Sequence, residues 1–159
     1  IAPGLNRSFI SQKFKCIESK HFDVAYEEAH DSILKDVSFR IYGSDVNYKV
    51  LSIANKNIEL AGLSNIFVQK RELQDISSRF DRGKIITNPP YQERLDTPGY
   101  DSVEELYEMI GSVFTDKFSE WNYGILSDNE DFEDYFGQKS RKKRKLFNGG
   151  IQCRFFQYF

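Results

Sequence analysis

Apolar residues recur along the chain with two different spacings. Spacings of three and four positions predict amphipathic helices at 21–34, 47–61, 102–118 and, more briefly, 131–137. Alternating or continuous short apolar stretches predict strands at 38–44, 65–71, 84–87 and 121–126. Residues 145–147 and 151–159, joined by Asn148-Gly149-Gly150, predict a closing hairpin. Residues 1–20 are predicted to form a loop.

The order of these elements predicts the fold class. Helices and strands alternate through most of the chain, which favours an α/β fold with a mainly parallel sheet and helices on both faces. The closing hairpin adds an antiparallel strand at the end of the chain. A length of 159 residues fits one domain, so we expect residues 1–159 to form a single domain.

Composition narrows the class of protein. Apolar residues make up 40% of the chain, and 14 Phe and 9 Tyr argue against disorder. The two cysteines and two histidines have no metal-ligand spacing, so we expect no metal site and reduced thiols in a cytoplasmic protein. No apolar stretch approaches the ~20 residues of a membrane span. The net charge of −2 argues against nucleic-acid binding by charge alone.

Asn88-Pro89-Pro90-Tyr91 is the motif that carries chemistry, because it directly follows the apolar strand at 84–87. Ligand sites of open α/β sheets gather at the carboxyl ends of strands. Two prolines end the strand and stiffen the turn. The Asn88 side-chain oxygen and the Pro89 carbonyl can accept hydrogen bonds from an amino group, and Tyr91 can stack on a base. The alternative is a Pro-Pro strand stop without further function.

Two acidic residues follow the first two predicted strands. Asp45 lies where a carboxylate of this fold can accept hydrogen bonds from ribose hydroxyls, although an Asp before a helix is often an N-cap. Glu72 follows the next strand, where the amino group of an adenine could donate to it. The alternative for Glu72 is a solvated loop carboxylate.

Several stretches occur together and in the order found in one family. They are IAPGLNRSF at 1–9, YGSDV at 42–46, ANKN at 54–57, LAG at 60–62, TNPPYQERL at 87–95 and NGGIQC at 148–153. With them the sequence resembles the bacterial rRNA guanine-N2 methyltransferases of the RlmL type, which are THUMP-containing proteins of the Rossmann-like class I fold. Asn-Pro-Pro-Tyr alone is shared with DNA adenine methyltransferases. Two further stretches distinguish the guanine-N2 family from those DNA enzymes, APGLNR at 2–7 and ERL at 93–95.

The resemblance implies a cofactor, a reaction and roles for particular residues. The cofactor would be S-adenosylmethionine, and the reaction methyl transfer to the N2 amine of a guanine, with 23S rRNA as the expected partner. Asp45 resembles the ribose-binding acid and Glu72 the adenine-side acid, with Asp75 in reserve. The residues that would bind the target base in the family correspond here to Asn88, Pro89, Pro90 and Tyr91. The resemblance also implies that Glu93 and Arg94 form a supporting ion pair or contact an RNA phosphate.

Three alternatives to this function stay open. Two belong to the same class of enzyme, a tRNA guanine-N2 methyltransferase and a DNA adenine-N6 methyltransferase. The third is a non-catalytic RNA-binding or assembly module, which would have no affinity for the cofactor.

The family also has segments that the resemblance places before Ile1. These are a Gly-rich first motif, the first strand of the sheet and the THUMP domain, and no Gly-x-Gly occurs in the 159 residues. We therefore expect a methyltransferase domain that lacks its first strand and binds the cofactor poorly by itself. The strands at 38–44 and 84–87 would flank that strand. Their edges would be covered by further residues, self-associate with a second copy, or pair directly.

A basic run, Arg141-Lys142-Lys143-Arg144-Lys145, is the strongest local shift in composition. Five consecutive cations would attract RNA phosphates, and Arg141 and Lys142 are the candidate contacts. The alternative is a solvated edge strand whose charges prevent aggregation.

Overall fold

The computed structural model describes residues 4–5, 7–34, 38–91 and 100–159. Its helices are α1 Ser19–Asp31, α2 Tyr48–Leu60, α3 Val103–Lys117 and α4 Phe132–Phe136. Its strands are β1 Ile41–Asp45, β2 Ile66–Lys70, β3 Lys84–Thr87, β4 Asn122–Ser127, β5 Lys142–Asn148 and β6 Ile151–Gln157. The predicted helices and strands are confirmed to within three residues at either end. Two short 3-10 helices, Ile10–Lys13 and Leu73–Asp75, were not predicted.

The chain divides into two compact units, residues 1–70 and 71–159. In the first unit β1 and β2 pair in parallel, in register from Ile41 opposite Ile66 to Asp45 opposite Lys70. Helix α2 connects them, as a parallel pair requires. It begins at Asn47, whose side chain accepts a hydrogen bond from the Lys49 N–H at 2.9 Å.

The first unit has very little core. Leu51 on α2 is its one buried residue among those described. Ile41 and Tyr42 on β1 are 48% and 53% exposed, and Phe67 on β2 is 45% exposed. The apolar pattern of these strands therefore predicts their backbone conformation correctly, but their side chains remain open to solvent.

The second unit contains a four-stranded sheet with the strand order β3-β4-β6-β5. Strands β3 and β4 are parallel, and β6 runs antiparallel to both β4 and β5. The β5–β6 hairpin turns at Gly149 and Gly150, where Gly149 has a φ of 62°. A positive φ suits glycine, which has no Cβ to clash with the backbone.

The core of the second unit lies between α3, α4 and one face of this sheet. Its largest fully buried aromatic side chains are Tyr107, Phe114, Phe132 and Phe156. Burial of such a side chain contributes about 1.5–3 kcal/mol. Helices α3 and α4 approach closely at Gly111, where a Cβ would lie 2.1 Å from the Phe136 carbonyl oxygen. A larger residue at this position would force the helices apart.

The topology settles one expectation about the strands. The strands predicted at 38–44 and 84–87 do not pair directly, because β1 and β3 belong to separate sheets. Each of the two forms its hydrogen bonds with a parallel neighbour instead. Within the described ranges, no helix is both long enough and apolar enough to cross a membrane.

Candidate active site

The parallel pairing of β3 and β4 places two polar segments at one edge of the sheet. Thr87 pairs with Ile125 at the last rung of the ladder. The Asn88–Tyr91 turn and the segment Asp128–Asn129, which follows Ser127 at the end of β4, therefore leave the sheet at its carboxyl edge, where α/β proteins bind ligands.

Asn88 and Pro89 differ in their exposure. Asn88 is exposed, and its carboxamide hydrogen-bonds to none of the described residues. Pro89 directly after it is buried. The turn is therefore packed against the protein at Pro89, while the amide that begins it is exposed.

Tyr107 on α3 stabilises the Asn88–Tyr91 turn through a hydrogen bond. Its hydroxyl donates to the Pro90 carbonyl oxygen at 3.4 Å and shares a 3.0 Å hydrogen bond with the Ser127 Oγ. Both Tyr107 and Ser127 are fully buried. Burial raises the pKa of Tyr107 to about 12, so the hydroxyl is protonated and able to donate at neutral pH.

Tyr91 is anchored in the β5–β6 hairpin. The residue is 4% exposed. Its hydroxyl oxygen accepts hydrogen bonds from the Asn148 Nδ2 at 3.0 Å and the Cys153 Sγ at 3.3 Å. Burial raises its pKa above the ordinary value, so this hydroxyl is also neutral. Nothing in the local sequence around Tyr91 indicates these distant partners.

Asp128 follows β4 at the same edge of the sheet. Its Oδ1 atom is buried and has no hydrogen-bond partner among the described residues. After burial, the charge of Asp128 is one further cause that raises the pKa of Tyr91 and Tyr107. The sequence analysis did not identify this residue.

Asp45, in the first unit, ends β1 and is half-buried. One of its carboxylate oxygens accepts a hydrogen bond from the Asn47 N–H at 2.7 Å. The N-cap of α2 is Asn47, not Asp45. Asp45 therefore stabilises the turn before the helix with one oxygen, and none of the described residues donates to its second oxygen.

Glu72, in the second unit, is exposed and precedes the 3-10 helix Leu73–Asp75. Its Oε2 accepts a hydrogen bond from the Gln74 Nε2 at 2.9 Å. After burial, the charge of Glu72 is the second cause that raises the pKa of Tyr100.

The remaining predicted residues lie apart from Tyr91 or outside the described ranges. Lys142 begins β5 and Arg141 precedes it, whereas Asn148, which contacts Tyr91, ends the strand. Six residues of strand span about 20 Å, so these two cations are distant from the Tyr91 hydroxyl. Glu93 and Arg94 belong to the residues that the structure does not describe.

Glu133 is a buried carboxylate that the sequence analysis missed. It accepts hydrogen bonds from the Ser140 N–H at 2.7 Å and from the Lys143 Nζ at 2.7 Å. Burial alone would raise its pKa, but the bonds from Lys143 and Ser140 outweigh burial and lower it. Lys143 is thus engaged within the protein. In the described part of the chain, no group of His, Cys, Asp and Glu side chains could hold a metal ion.

Comparisons with known proteins identify the family of the chain. The model of the UPF0020 family, described as RMKL-like, methyltransferase domain, matches residues 1–157. The chain is 36% identical to YpsC of Bacillus subtilis (strain 168), whose name assigns it provisionally to the RNA methyltransferases; the match covers 100% of this chain and 41% of YpsC. It is 30% identical to the ribosomal RNA large subunit methyltransferase K/L of Shewanella baltica (strain OS185), covering 98% of this chain and 22% of that protein.

Solved structures give the same result. SMU.472, provisionally named a methyltransferase and crystallised as a complex with SAH, superposes with a TM-score of 0.88 at 33% identity. The superposition covers 100% of this chain and 42% of SMU.472. The predicted Rossmann-like α/β fold is thereby confirmed. The chain spans less than half the length of each of these proteins.

Proposed function

The chain belongs to the family of RMKL-like methyltransferase domains, as its motifs predicted. From this premise we propose that the protein methylates the exocyclic N2 amine of a guanine in RNA, with 23S rRNA as the substrate. The names of YpsC and of the Shewanella K/L enzyme support an RNA substrate.

The proposed cofactor is S-adenosylmethionine, which supplies an electrophilic methyl group when bound. The SAH in the SMU.472 complex supports this choice, because SAH is what remains of that cofactor after transfer. Asp45 would accept hydrogen bonds from the ribose hydroxyls through its second carboxylate oxygen, and Glu72 would accept one from the adenine amino group. Both are carboxylates that follow parallel strands.

The observation that carries the proposal is the exposed carboxamide of Asn88, which hydrogen-bonds to none of the described residues, on a turn anchored by the buried Pro89 and Tyr91. The Asn88 Oδ1 and the Pro89 carbonyl would accept the two N–H bonds of the target amine and so orient its lone pair. Correct orientation supplies much of the rate in such a transfer. The base has to leave its stack to reach this turn. Tyr91 was predicted to stack on the base, but the residue is 4% exposed, so its proposed role is to anchor the turn within the protein.

Charged residues outside the turn would hold the RNA. Arg141 and Lys142 are exposed at the start of β5, where they would contact phosphates away from the target nucleotide. Glu93 and Arg94 follow the motif after Gln92 in sequence, so we propose that they contact the RNA near the target.

Asn88→Ala in the full-length gene product tests the proposal. We expect methyl transfer to fall by about 10²–10³, which is the usual effect of removing one preorganised contact from a transition state. The assay is the incorporation of labelled methyl into ribosomal RNA from a deletion strain, followed by nucleoside analysis. N2-methylguanine in the RNA is the expected product, whereas N6-methyladenine in DNA would identify a different substrate.

Asn122→Ala is the matched control, because Asn122 is an exposed asparagine at the opposite end of the neighbouring strand β4. It should leave the rate unchanged, and both variants should keep the circular dichroism spectrum of the wild type. Turnover of the Asn88 variant within a few-fold of the wild type would refute the assignment of Asn88.

A further inference from the structure

We propose that Asn148 and Cys153 are positioning residues, which hold the buried side chain of Tyr91 from the β5–β6 hairpin and so fix the turn that carries Asn88. The inference rests on the proposed function, in which Asn88 and Pro89 bind the target amine. It assigns to the hairpin a part in catalysis in addition to its place in the sheet.

The contacts of the Tyr91 hydroxyl come from two strands on one face of the hairpin. Asn148 pairs with Ile151, and Leu146 pairs with Cys153, so Asn148 and Cys153 are diagonal neighbours across the ladder. Side chains in this arrangement are within reach of a common partner. The Asn148 Nδ2 and the Cys153 Sγ both direct a donor at the Tyr91 oxygen, at 3.0 Å and 3.3 Å.

Tyr91 is therefore held both at its hydroxyl and through the backbone that precedes it. The hairpin holds its hydroxyl, and the Tyr107 hydroxyl holds the carbonyl of the preceding Pro90. With its hydroxyl and the preceding carbonyl both held, the Tyr91 end of the turn cannot move away from the hairpin without breaking a hydrogen bond. A turn fixed in this way presents Asn88 to the target amine in one orientation, as methyl transfer requires.

A purely structural role does not account for Asn148. The left-handed backbone conformation of the turn is taken by Gly149, with a φ of 62°, and no residue other than glycine among those described has a positive φ. Asn148 is also exposed, so its side chain does not fill a core. Alanine can adopt the backbone conformation of Asn148, and such a substitution removes chiefly the hydrogen bond to Tyr91.

The test compares single-turnover methylation by hairpin variants of the full-length gene product. Asn148→Ala should lower the rate of transfer by about 10-fold, while the KM for S-adenosylmethionine stays unchanged. Asn148→Asp should restore most of the rate, because the Tyr91 hydroxyl can donate to a carboxylate in the same place. Gln152→Ala is the matched control; this exposed residue lies beside Cys153 on the other face of β6 and should have no effect.

Tyr91→Phe supplies a second, independent variant that leaves the hairpin untouched. It removes the hydroxyl that Asn148 holds, so it should lower the rate as much as Asn148→Ala does. The double variant should be no slower than either single one, since both remove the same hydrogen bond. The Asn148 bond lowers the pKa of Tyr91, so Asn148→Ala should also raise that pKa, which a spectroscopic titration detects.

The outcomes separate this inference from the proposed function. A wild-type rate for Asn148→Ala, with Asn88→Ala inactive, would overturn the positioning role and leave the function intact. Activity of Asn88→Ala would overturn the function itself. Equal losses in Asn148→Ala and Gln152→Ala, or additive losses in the Tyr91→Phe double variant, would show that the hairpin acts only through stability.

Discussion

The carboxylate of Asp45 has one partner among the described residues and a second one that we propose. One oxygen accepts the Asn47 N–H at 2.7 Å and so fixes the turn that leads into α2. The other is the oxygen that we assign to ribose. A side chain that is already held by the backbone loses little freedom when it binds a ligand, which favours affinity.

Substitution of Asp45 should separate these two tasks. Asp45→Ala should raise the Kd for S-adenosylmethionine by one to two orders of magnitude, because one or two charge-assisted hydrogen bonds of ~1.5–3 kcal/mol are lost. Asp45→Asn keeps an oxygen for the Asn47 N–H but loses the charge, so it should weaken binding without changing the helix. Calorimetry on the full-length gene product measures both. An unchanged Kd in either variant would leave Asp45 only its role in the turn.

Single residues differ in how far the sequence predicts their role. Asn88 could be placed at a strand end because the two prolines after it end the strand locally. The partners of Tyr91 could not, because Asn148 and Cys153 are 57 and 62 residues away along the chain. Asp45 was predicted as either a cap or a ligand residue, and the cap proved to be Asn47, two residues later.

At the scale of elements, strand β5 of the hairpin is a cation-rich strand at the edge of its sheet. Every residue of β5 is exposed, and it is the outer strand of its sheet. Lys143 nevertheless reaches the buried Glu133 near the start of α4. The position of the basic run therefore fits the alternative of a solvated edge strand. One of its cations, Lys143, links this strand to α4 through Glu133. The contact of the run with RNA stays a prediction.

Glu133→Gln should destabilise the protein by about 1–3 kcal/mol, because the buried group loses its charged bond to Lys143. The pKa of Glu133 is lowered in the fold, so its contribution is complete above the unfolded value of about 4.5 and is lost as pH falls through the folded value. Urea unfolding at several pH values measures this. Lys142→Gln, a neighbouring cation without that bond, should be neutral. A difference between wild type and Glu133→Gln that persists at low pH would contradict the assignment.

The elements themselves were predictable because their signals are local. The period of α3 and the Ser102 cap lie within 17 residues, and the structure confirms that Ser102 accepts from the Glu105 N–H. The start of β5 was placed at residue 145 instead of Lys142, because cations show no apolar alternation. What extends this strand is the ladder with β6 and the bond to Glu133, and both are tertiary.

At the scale of the whole molecule, the two units differ in how much apolar surface they bury. The second unit has a continuous core that includes Tyr107, Phe114 and Phe132. In the described part of the first unit, Leu51 alone is buried. A two-stranded sheet with so little burial is marginally stable in water. The sequence could predict the apolar strands of the first unit, but not whether their side chains would find partners.

Among the described strands, β1 and β3 each lie at an open edge of a sheet. Each strand has a hydrogen-bonded neighbour on one side only among the described residues, and Tyr42 and Ile86 on these strands are 53% and 67% exposed. Unpaired strand edges with apolar side chains template pairing with another chain. We therefore expect the 159-residue chain to self-associate as its concentration rises, which sedimentation velocity measures. Tyr42→Lys with Ile86→Lys should suppress this association, because lysine on an edge strand opposes pairing. Val24→Lys with Leu34→Lys, at apolar positions 61% and 79% exposed outside the strands, should not suppress it. A chain that stays monomeric at every concentration would contradict the prediction, as would equal suppression by both pairs.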